Sequence, residues 1–209
     1  MTLPADAADT RAPPPRSGMT DIRRATADDA AALIDFQNRL GADEARLLVS
    51  PVDPVAGVPL AQAALAANAG DPRSVVLVAV RQADIAGLLL CRNHLHRALD
   101  GVGQIAIGVD RAHRRRGIAA ALLRRAVEWA ELNGMRRLQL GAIADNRAAI
   151  GLYEKAGFVA EGRLKAYARL DGRDRDLIVM ARSVSLPGQD GVPASNGVGL
   201  SRVRPACDT

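Results

Sequence analysis

The chain has 209 residues, of which 48% are hydrophobic and 24% are charged, a balance typical of one globular domain with a sizeable core. No apolar run approaches the roughly 18 residues of a membrane span, and the N-terminus lacks a secretory signal pattern, so we expect a cytoplasmic protein with no membrane partner. The net charge of +5 predicts an anionic ligand, whereas an aromatic content of 2% leaves too few stacking platforms to predict a nucleic-acid partner.

Both ends of the chain are rich in Gly, Pro and Ala and have no hydrophobic period. We expect residues 1–18 and 185–209 to be disordered tails and residues 19–184 to form the domain, with Met19 as an alternative start to Met1. The two cysteines, Cys91 and Cys207, fit neither a disulfide framework nor a zinc site, and we expect both to be free thiols.

The first predicted elements are a short strand at residues 21–24 and a helix that follows Thr26. Thr26 and Asp29 have the spacing of a helix N-cap, and an apolar stripe begins at Ala30. The next stretch contains three prolines and then Ala-rich sequence, which predicts a second helix at about residues 60–69.

Three antiparallel strands are predicted next. Residues 75–80 and 85–91 are apolar runs separated by a short polar segment, which is a hairpin signal. Residues 104–109 alternate, with Ile105, Ile107 and Val109 on one face and Gln104, Ala106 and Gly108 on the other.

The period then becomes helical from Gly117 until Asn133 and Gly134, which supply a left-handed stop. The remaining elements are a strand at 138–143, a helix at 146–156 and two closing strands at 158–164 and 176–181. The total predicts an α/β (α+β) protein with a mixed sheet flanked by helices.

An anion-binding turn is predicted between the strand 104–109 and the helix that follows it. Three consecutive arginines precede the start of this helix, where unpaired N–H groups point outward, and the small residues after them allow a phosphate to approach closely. The turn lacks both the Walker ending and the Rossmann glycines. Its sequence, Arg114, Arg115, Arg116, Gly117, Ile118 and Ala119, resembles the R/Q-x-x-G-x-G/A motif of GNAT acetyltransferases.

A second motif lies further along the chain. Residues 146–158, NRAAIGLYEKAGF, resemble the GNAT signature N-x-x-A-x-x-L-Y-E-K-x-G-F, and residues 161–182 resemble the closing strands of a branch that includes small-molecule and amino-acid acetyltransferases. The chain is therefore identified as a member of the GNAT superfamily of N-acetyltransferases from residue 21 to about 184. This resemblance implies a mixed, mostly antiparallel sheet of about six to seven strands, flanked by helices, with splayed central strands.

The resemblance also implies acetyl-CoA as co-substrate, with its pyrophosphate on the turn at residues 114–119. The pantetheine arm would run along Ile107, Gly108 and Val109, and Asn146 would hydrogen-bond to it. The hydroxyl of Tyr153 would lie by the thioester sulfur as the catalytic acid. Outside this motif, Asn146 would be interpreted as an N-cap and Tyr153 as a core aromatic residue.

The general base stays open in the sequence. Many family members carry a carboxylate where this chain has Gln104, and an amide does not accept a proton. His94, His96, Asp100 or a chain of water molecules are the alternatives. The alternating histidines have no third ligand at a suitable spacing, so no metal is expected, and His113 is interpreted as part of a solvated turn.

The predicted activity is transfer of an acetyl group to the amine of a small molecule, with amino acids among the candidates. The alternatives are a protein N-terminus or lysine as acceptor, or an acyl-CoA-binding module without turnover. We expect acceptor specificity to depend on residues 40–70 and 94–100, and we expect a monomer or a homodimer.

Overall fold

The computed structural model describes residues 19–43, 54–94 and 96–184, and the two predicted tails lie outside the described residues. Eleven helices and strands follow one another within these ranges, apart from short 3₁₀ turns. They are β1 (Asp21–Arg24), α1 (Ala30–Asp43), α2 (Pro54–Ala69), β2 (Val75–Arg81), β3 (Asp84–Asn93), β4 (Val102–Val109), α3 (Ile118–Leu132), β5 (Arg137–Ile143), α4 (Arg147–Lys155), β6 (Val159–Leu170) and β7 (Arg173–Ser183).

The strands form one seven-stranded sheet in the order β1-β2-β3-β4-β5-β7-β6. Every neighbouring pair is antiparallel except β4 and β5, which run parallel. The predicted α/β class, the strand number and the mostly antiparallel pairing are thereby confirmed, as is the adjacency of β2, β3 and β4.

The two central strands separate along their length. β4 and β5 are paired at only three positions, from Val102 opposite Arg137 to Gln104 opposite Gln139. Beyond Gln104 both strands continue without pairing to each other, and β5 pairs instead with β7 along its whole length. The predicted splay is confirmed, and it opens a gap in the middle of the sheet.

Two hydrophobic clusters cover the two faces of the sheet. Val75, Leu77 and Ala79 of β2 belong to the larger cluster, beneath α3 and α4, while Val78 belongs to the smaller one beneath α1 and α2. Alternate residues of a strand point to opposite faces, so the two clusters lie on opposite sides of the sheet.

The first helix begins where the sequence indicates. The Thr26 N–H donates to the Asp29 carboxylate over 2.7 Å, and Arg23 forms an ion pair with the same carboxylate. The hydrogen bond from Arg23 lowers the pKa of Asp29 and keeps this cap charged. A single 3₁₀ turn at residues 27–29 leads into α1.

Two predictions of element length were too short. α2 begins at Pro54 and not near residue 60; a proline is tolerated at a helix start because that N–H has no partner within the helix. β6 and β7 extend to a tight hairpin at Asp171 and Gly172, both with positive φ, which suits a two-residue hairpin turn. The strand ends near this turn are mostly exposed, and β7 begins with four charged residues, so the apolar alternation is weak there in the sequence.

None of the described helices is long and apolar enough to cross a bilayer.

Candidate active site

A cleft of about 450 Å³ lies in the gap between β4 and β5. One wall is β4 from Gln104 to Gly108, and the other is the end of β5 together with α4. The residues that line it from other elements include Gln37 and Leu40 of α1, Leu88 and Leu90 of β3, and Tyr167 and Leu177 of the β6–β7 hairpin.

The open edge of β4 presents backbone groups to this gap. The N–H of Asp110 donates to Ala86 of β3, and the N–H of His94 donates to Val102, so even-numbered residues of β4 bond toward β3. In an antiparallel pair the alternate residues bond in the opposite direction. The backbone groups of Ile107 and Val109 therefore face the gap, where β5 has already turned away.

The other face of β4 lies close to α1. A Cβ atom added at Gly108 would lie 2.7 Å from Leu40 Cδ1, so glycine at this position lets the helix approach the strand. On this face, Ala106 and Gly108 therefore border both the cleft and α1.

The predicted anion-binding turn lies just beyond the end of β4. Arg115 and Gly117 both have a left-handed backbone, with φ of 61° and 77°, and α3 begins at Ile118. A Cβ atom at Gly117 would meet nothing within 4 Å, so this side of the turn is open. Arg114, Arg115, Gly117, Ile118 and Ala119 line a hollow of about 190 Å³ that reaches Ala148 and Leu152 of α4.

The three arginines do not share one cavity. The Nε of Arg114 donates to the Val109 carbonyl oxygen over 3.2 Å and so fastens the turn to the strand. Arg116 lines a separate hollow of about 280 Å³ between β1 and α3, together with Arg124 and Arg125. Only Arg114 and Arg115 border the hollow that continues toward α4.

His113 is less exposed than the sequence indicates. The residue is half-buried, borders the same hollow as Arg114, and its Nδ1 is buried without a partner among the described residues.

The helix α4 brings Asn146 and Tyr153 to the cleft. Asn146 is the N-cap residue, and its side-chain oxygen accepts a hydrogen bond from the Ala149 N–H over 3.2 Å. Asn146 and Tyr153 both line the cleft, as two helical turns of separation require. The capping role and the position beside the cleft therefore occur together.

Tyr153 is largely buried between the cleft and the core. Its ring packs against Phe158 with a centroid distance of 6.3 Å, and it belongs to the larger hydrophobic cluster. Burial raises the pKa of its hydroxyl to about 12, so the group is protonated at neutral pH and can act as a hydrogen-bond donor.

Two glutamines meet at the deep end of the gap. The Nε2 of Gln139 donates to the Oε1 of Gln104 over 3.0 Å and lies 3.3 Å from the Nε2 of His94. The Gln139 amide thus links Gln104 to His94. His94 therefore reaches the cleft only through two amides.

The other candidate bases lie away from the cleft. His96 uses Nδ1 to accept a hydrogen bond from the Ala98 N–H, and Asp100 is bound by Asn93 and Arg73. Among the described residues that line the cleft, there is no carboxylate and no histidine. The described residues also include no group of three or more side chains suited to hold a metal ion.

Sequence reasoning missed the cleft residues that come from distant elements. Tyr167 reaches the cleft because β6 is longer than predicted, Leu177 lies in the predicted last strand but was not assigned to the site, and Gln37 lines the cleft because α1 packs across β4. The hairpin signal at Asp171 and Gly172 could have revealed the two strand ends.

The fold and the cleft together define an α/β protein with a ligand-sized opening in its central sheet. The sequence model of the Acetyltransferase (GNAT) family matches residues 43–158, more than half of the chain. The chain belongs to this family.

The relatives with known names act on different acceptors. The chain is 36% identical over 108 residues to the L-amino acid N-acetyltransferase AaaT of Escherichia coli K12, which covers 51% of this chain and 66% of that protein. It is 39% identical over 89 residues to the ribosomal protein bS18 alanine N-acetyltransferase of the same organism, covering 42% and 60%. The chain thus spans less than two thirds of each relative.

A solved structure agrees over most of the chain. The acetyltransferase of the GNAT family from Streptococcus pneumoniae superimposes with a TM-score of 0.75 at 27% identity, covering 80% of this chain and 100% of that protein.

Proposed function

We propose that the protein is an N-acetyltransferase that moves the acetyl group of acetyl-CoA to the primary amine of a small molecule by direct attack. The observation that carries this proposal is the gap between β4 and β5, which leads to the hollow bordered by Arg114 and Arg115 before α3. An elongated ligand with a phosphorylated end and an amide-containing arm matches both parts of this arrangement.

The cofactor would extend from the turn into the cleft. Its pyrophosphate would accept hydrogen bonds from the N–H groups at the start of α3 and from Arg114 and Arg115. The amides of its pantetheine arm would pair with the backbone groups of Ile107 and with the N–H of Val109, whose carbonyl oxygen already accepts from Arg114. Asn146, which lines the far wall of the cleft, would hydrogen-bond to the same arm.

The chemistry assigned to the cleft is a direct acyl transfer. The neutral amine attacks the thioester carbonyl carbon, the C–N bond forms, and the C–S bond breaks to release the CoA thiolate. The amine loses one proton and the thiolate gains one, so no covalent enzyme intermediate is needed.

Tyr153 is the proposed proton or hydrogen-bond donor to the departing sulfur in this reaction. A thiol has a reference pKa of about 8.5, well below the value of about 12 for Tyr153, so complete transfer of the phenolic proton to a free thiolate would be unfavourable. The role that fits this difference is a hydrogen bond that strengthens as negative charge develops on sulfur.

The acceptor class has several candidates. Relatives with known names act on an amino acid and on the alanine of a ribosomal protein. A protein N-terminus or lysine is therefore an alternative acceptor, and the Gln104 amide in the cleft leaves an acyl-CoA-binding module without turnover as a further alternative.

The experiment is an acetylation screen with the purified protein and acetyl-CoA. Thiol release and the mass of the product would be measured with amino acids, polyamines, aminoglycosides and peptides. Turnover of a small amine supports the proposal, turnover of peptides alone favours the protein-acceptor alternative, and tight acetyl-CoA binding without any turnover favours the binding module.

A further inference from the structure

A polar row crosses three strands at the end of the cleft farthest from the turn that precedes α3. Arg92 of β3 lies opposite Gln104 of β4, and Gln104 lies opposite Gln139 of β5. Side chains directly opposite each other in a sheet share a face, with Cβ atoms about 4.5–5.5 Å apart. The row is therefore continuous, and it ends where β4 and β5 separate.

Arg92 is on the cleft side of the sheet. Leu88 and Leu90 line the cleft, and Arg92 follows them with the two-residue period of a strand. Arg92 is the next residue after Leu90 on this face of β3, so it lies at the rim of the cleft, beside the apolar floor formed by Leu88 and Leu90. Its side chain is long enough to fold back over Leu90.

Two side chains of this row, Gln104 and Arg92, have hydrogen-bond donors that no acceptor among the described residues uses. The Oε1 of Gln104 accepts from Gln139, which leaves its Nε2 as the group that can donate into the cleft. The Arg92 side chain has no hydrogen bond or ion pair with any other residue that the structure describes, in contrast to Arg73 and Arg137, which pair with Asp100 and Glu161. An arginine fork beside an amide N–H₂ group favours a carboxylate.

The direction of the cleft places this row at the reacting end. The anion-binding turn follows Val109, and Gln104 lies five residues back along β4, or about 17 Å at the usual rise of a strand. A cofactor arm that begins at the turn therefore points its acyl group toward Gln104. The acceptor must approach from the same end.

We propose that Arg92 and Gln104 bind the carboxylate of the acceptor, and that the substrates are therefore amines with a carboxylate on a neighbouring carbon, such as amino acids. Gln139 and His94 act as positioning residues that hold the Gln104 amide with its nitrogen toward the acceptor. This inference rests on the proposed function, because it names the acceptor class of the same cleft.

The test compares each of several amino acids with its α-amide, which keeps the amine and side chain and removes the negative charge. The wild-type protein should favour the acid, and Arg92→Gln should lower the ratio of kcat/KM for acid over amide by about 10- to 100-fold, mainly through KM. Arg81→Gln is the matched control, since Arg81 ends β2 at the opposite end of the same hairpin. Circular dichroism and CoA affinity would confirm that both variants are folded.

An equal effect of Arg92→Gln on acid and amide, or a wild-type preference for the amide, would overturn the inference. Calorimetry of amino-acid binding to the CoA-loaded protein separates this result from failure of the proposed function. Binding that depends on Arg92 without turnover would support the carboxylate site and refute the acetyltransferase. Turnover of amides or peptides that is insensitive to Arg92 would support the acetyltransferase and refute the carboxylate site.

Discussion

At the scale of single residues, Tyr153 is the side chain on which the proposed chemistry depends most. Tyr153→Phe keeps the ring that packs against Phe158 and removes only the hydroxyl. We expect kcat to fall by about 10²- to 10³-fold, the usual effect of losing one positioned hydrogen-bond donor, because charge on sulfur develops only in the transition state. Acetyl-CoA affinity should change little.

Steady-state kinetics on a verified acceptor would measure this effect, with calorimetry of acetyl-CoA binding as the control. Near-full turnover in Tyr153→Phe would assign the acid to water or another residue and would leave the cofactor site unaffected.

The pH dependence of the reaction follows from the groups in the cleft. Burial holds the pKa of Tyr153 at about 12, so this donor stays protonated across the range from pH 6 to 10, and the described residues that line the cleft provide no base. The acceptor must therefore lose its proton in solution. We expect kcat/KM to rise with pH and to level off above the pKa of the amine.

Two acceptors would test this expectation, one with an α-amino pKa of about 8 and one with a lysine-like pKa of about 10.4. The inflection of the pH profile should move with the amine. An inflection near pH 6.5 with both acceptors would indicate a histidine base instead.

Residue patterns anticipated part of this site. Asn146 and Tyr153 could be paired from their spacing, because two helical turns place them on one face. Gln139 and Arg92 could not be identified, because their relation to Gln104 depends on the register of three strands, which no local pattern encodes. Contacts between residues far apart in the chain are the part of a site that sequence patterns predict least.

At the scale of elements, the turn before α3 makes a clear prediction. Gly117 and Gly134 flank α3, both have positive φ, and neither has any atom within 4 Å of an added Cβ. Valine would be strained at either position to a similar degree. Only Gly117→Val should abolish CoA binding, because only its side chain would enter the space beside the turn.

Calorimetry with CoA, together with thermal unfolding of both variants, would distinguish strain from a blocked site. Equal loss of CoA affinity in both variants, or unchanged affinity in a folded Gly117→Val protein, would remove the turn from the cofactor site.

The prediction of elements succeeded where one hydrophobic period was strong. α3 has a complete apolar stripe and a glycine at each end, and its bounds were predicted closely. The β6–β7 hairpin was predicted too short, because its outer residues, Leu164 and Tyr167 among them, are exposed and interrupt the alternation. Burial creates the pattern, so an exposed edge hairpin shows it weakly.

At the scale of the whole molecule, Cys91 reports on global unfolding. It is fully buried in the larger cluster, and burial raises the pKa of its thiol to about 12, so the native protein presents almost no reactive thiolate there. We expect alkylation of Cys91 in the Cys207→Ser variant to be slow and to follow the population of the unfolded state.

Saturating CoA makes this expectation quantitative. A ligand at about 100 times its Kd stabilises the folded state by about 2.7 kcal/mol, which should slow alkylation of Cys91 by about 100-fold. Mass spectrometry at several times would measure the rate. A rate that CoA leaves unchanged would mean that Cys91 is exposed by a local opening, independent of the cofactor.

The alternation of β4 between the two faces of the sheet has a consequence for evolution. Ile105 packs into the core on one side, and Gly108 admits Leu40 on the other. Gain or loss of one residue before these positions would exchange the two faces, so that isoleucine would meet α1 and glycine would leave a void in the core. Divergence of this strand is therefore expected to proceed through substitutions and not through changes in its length.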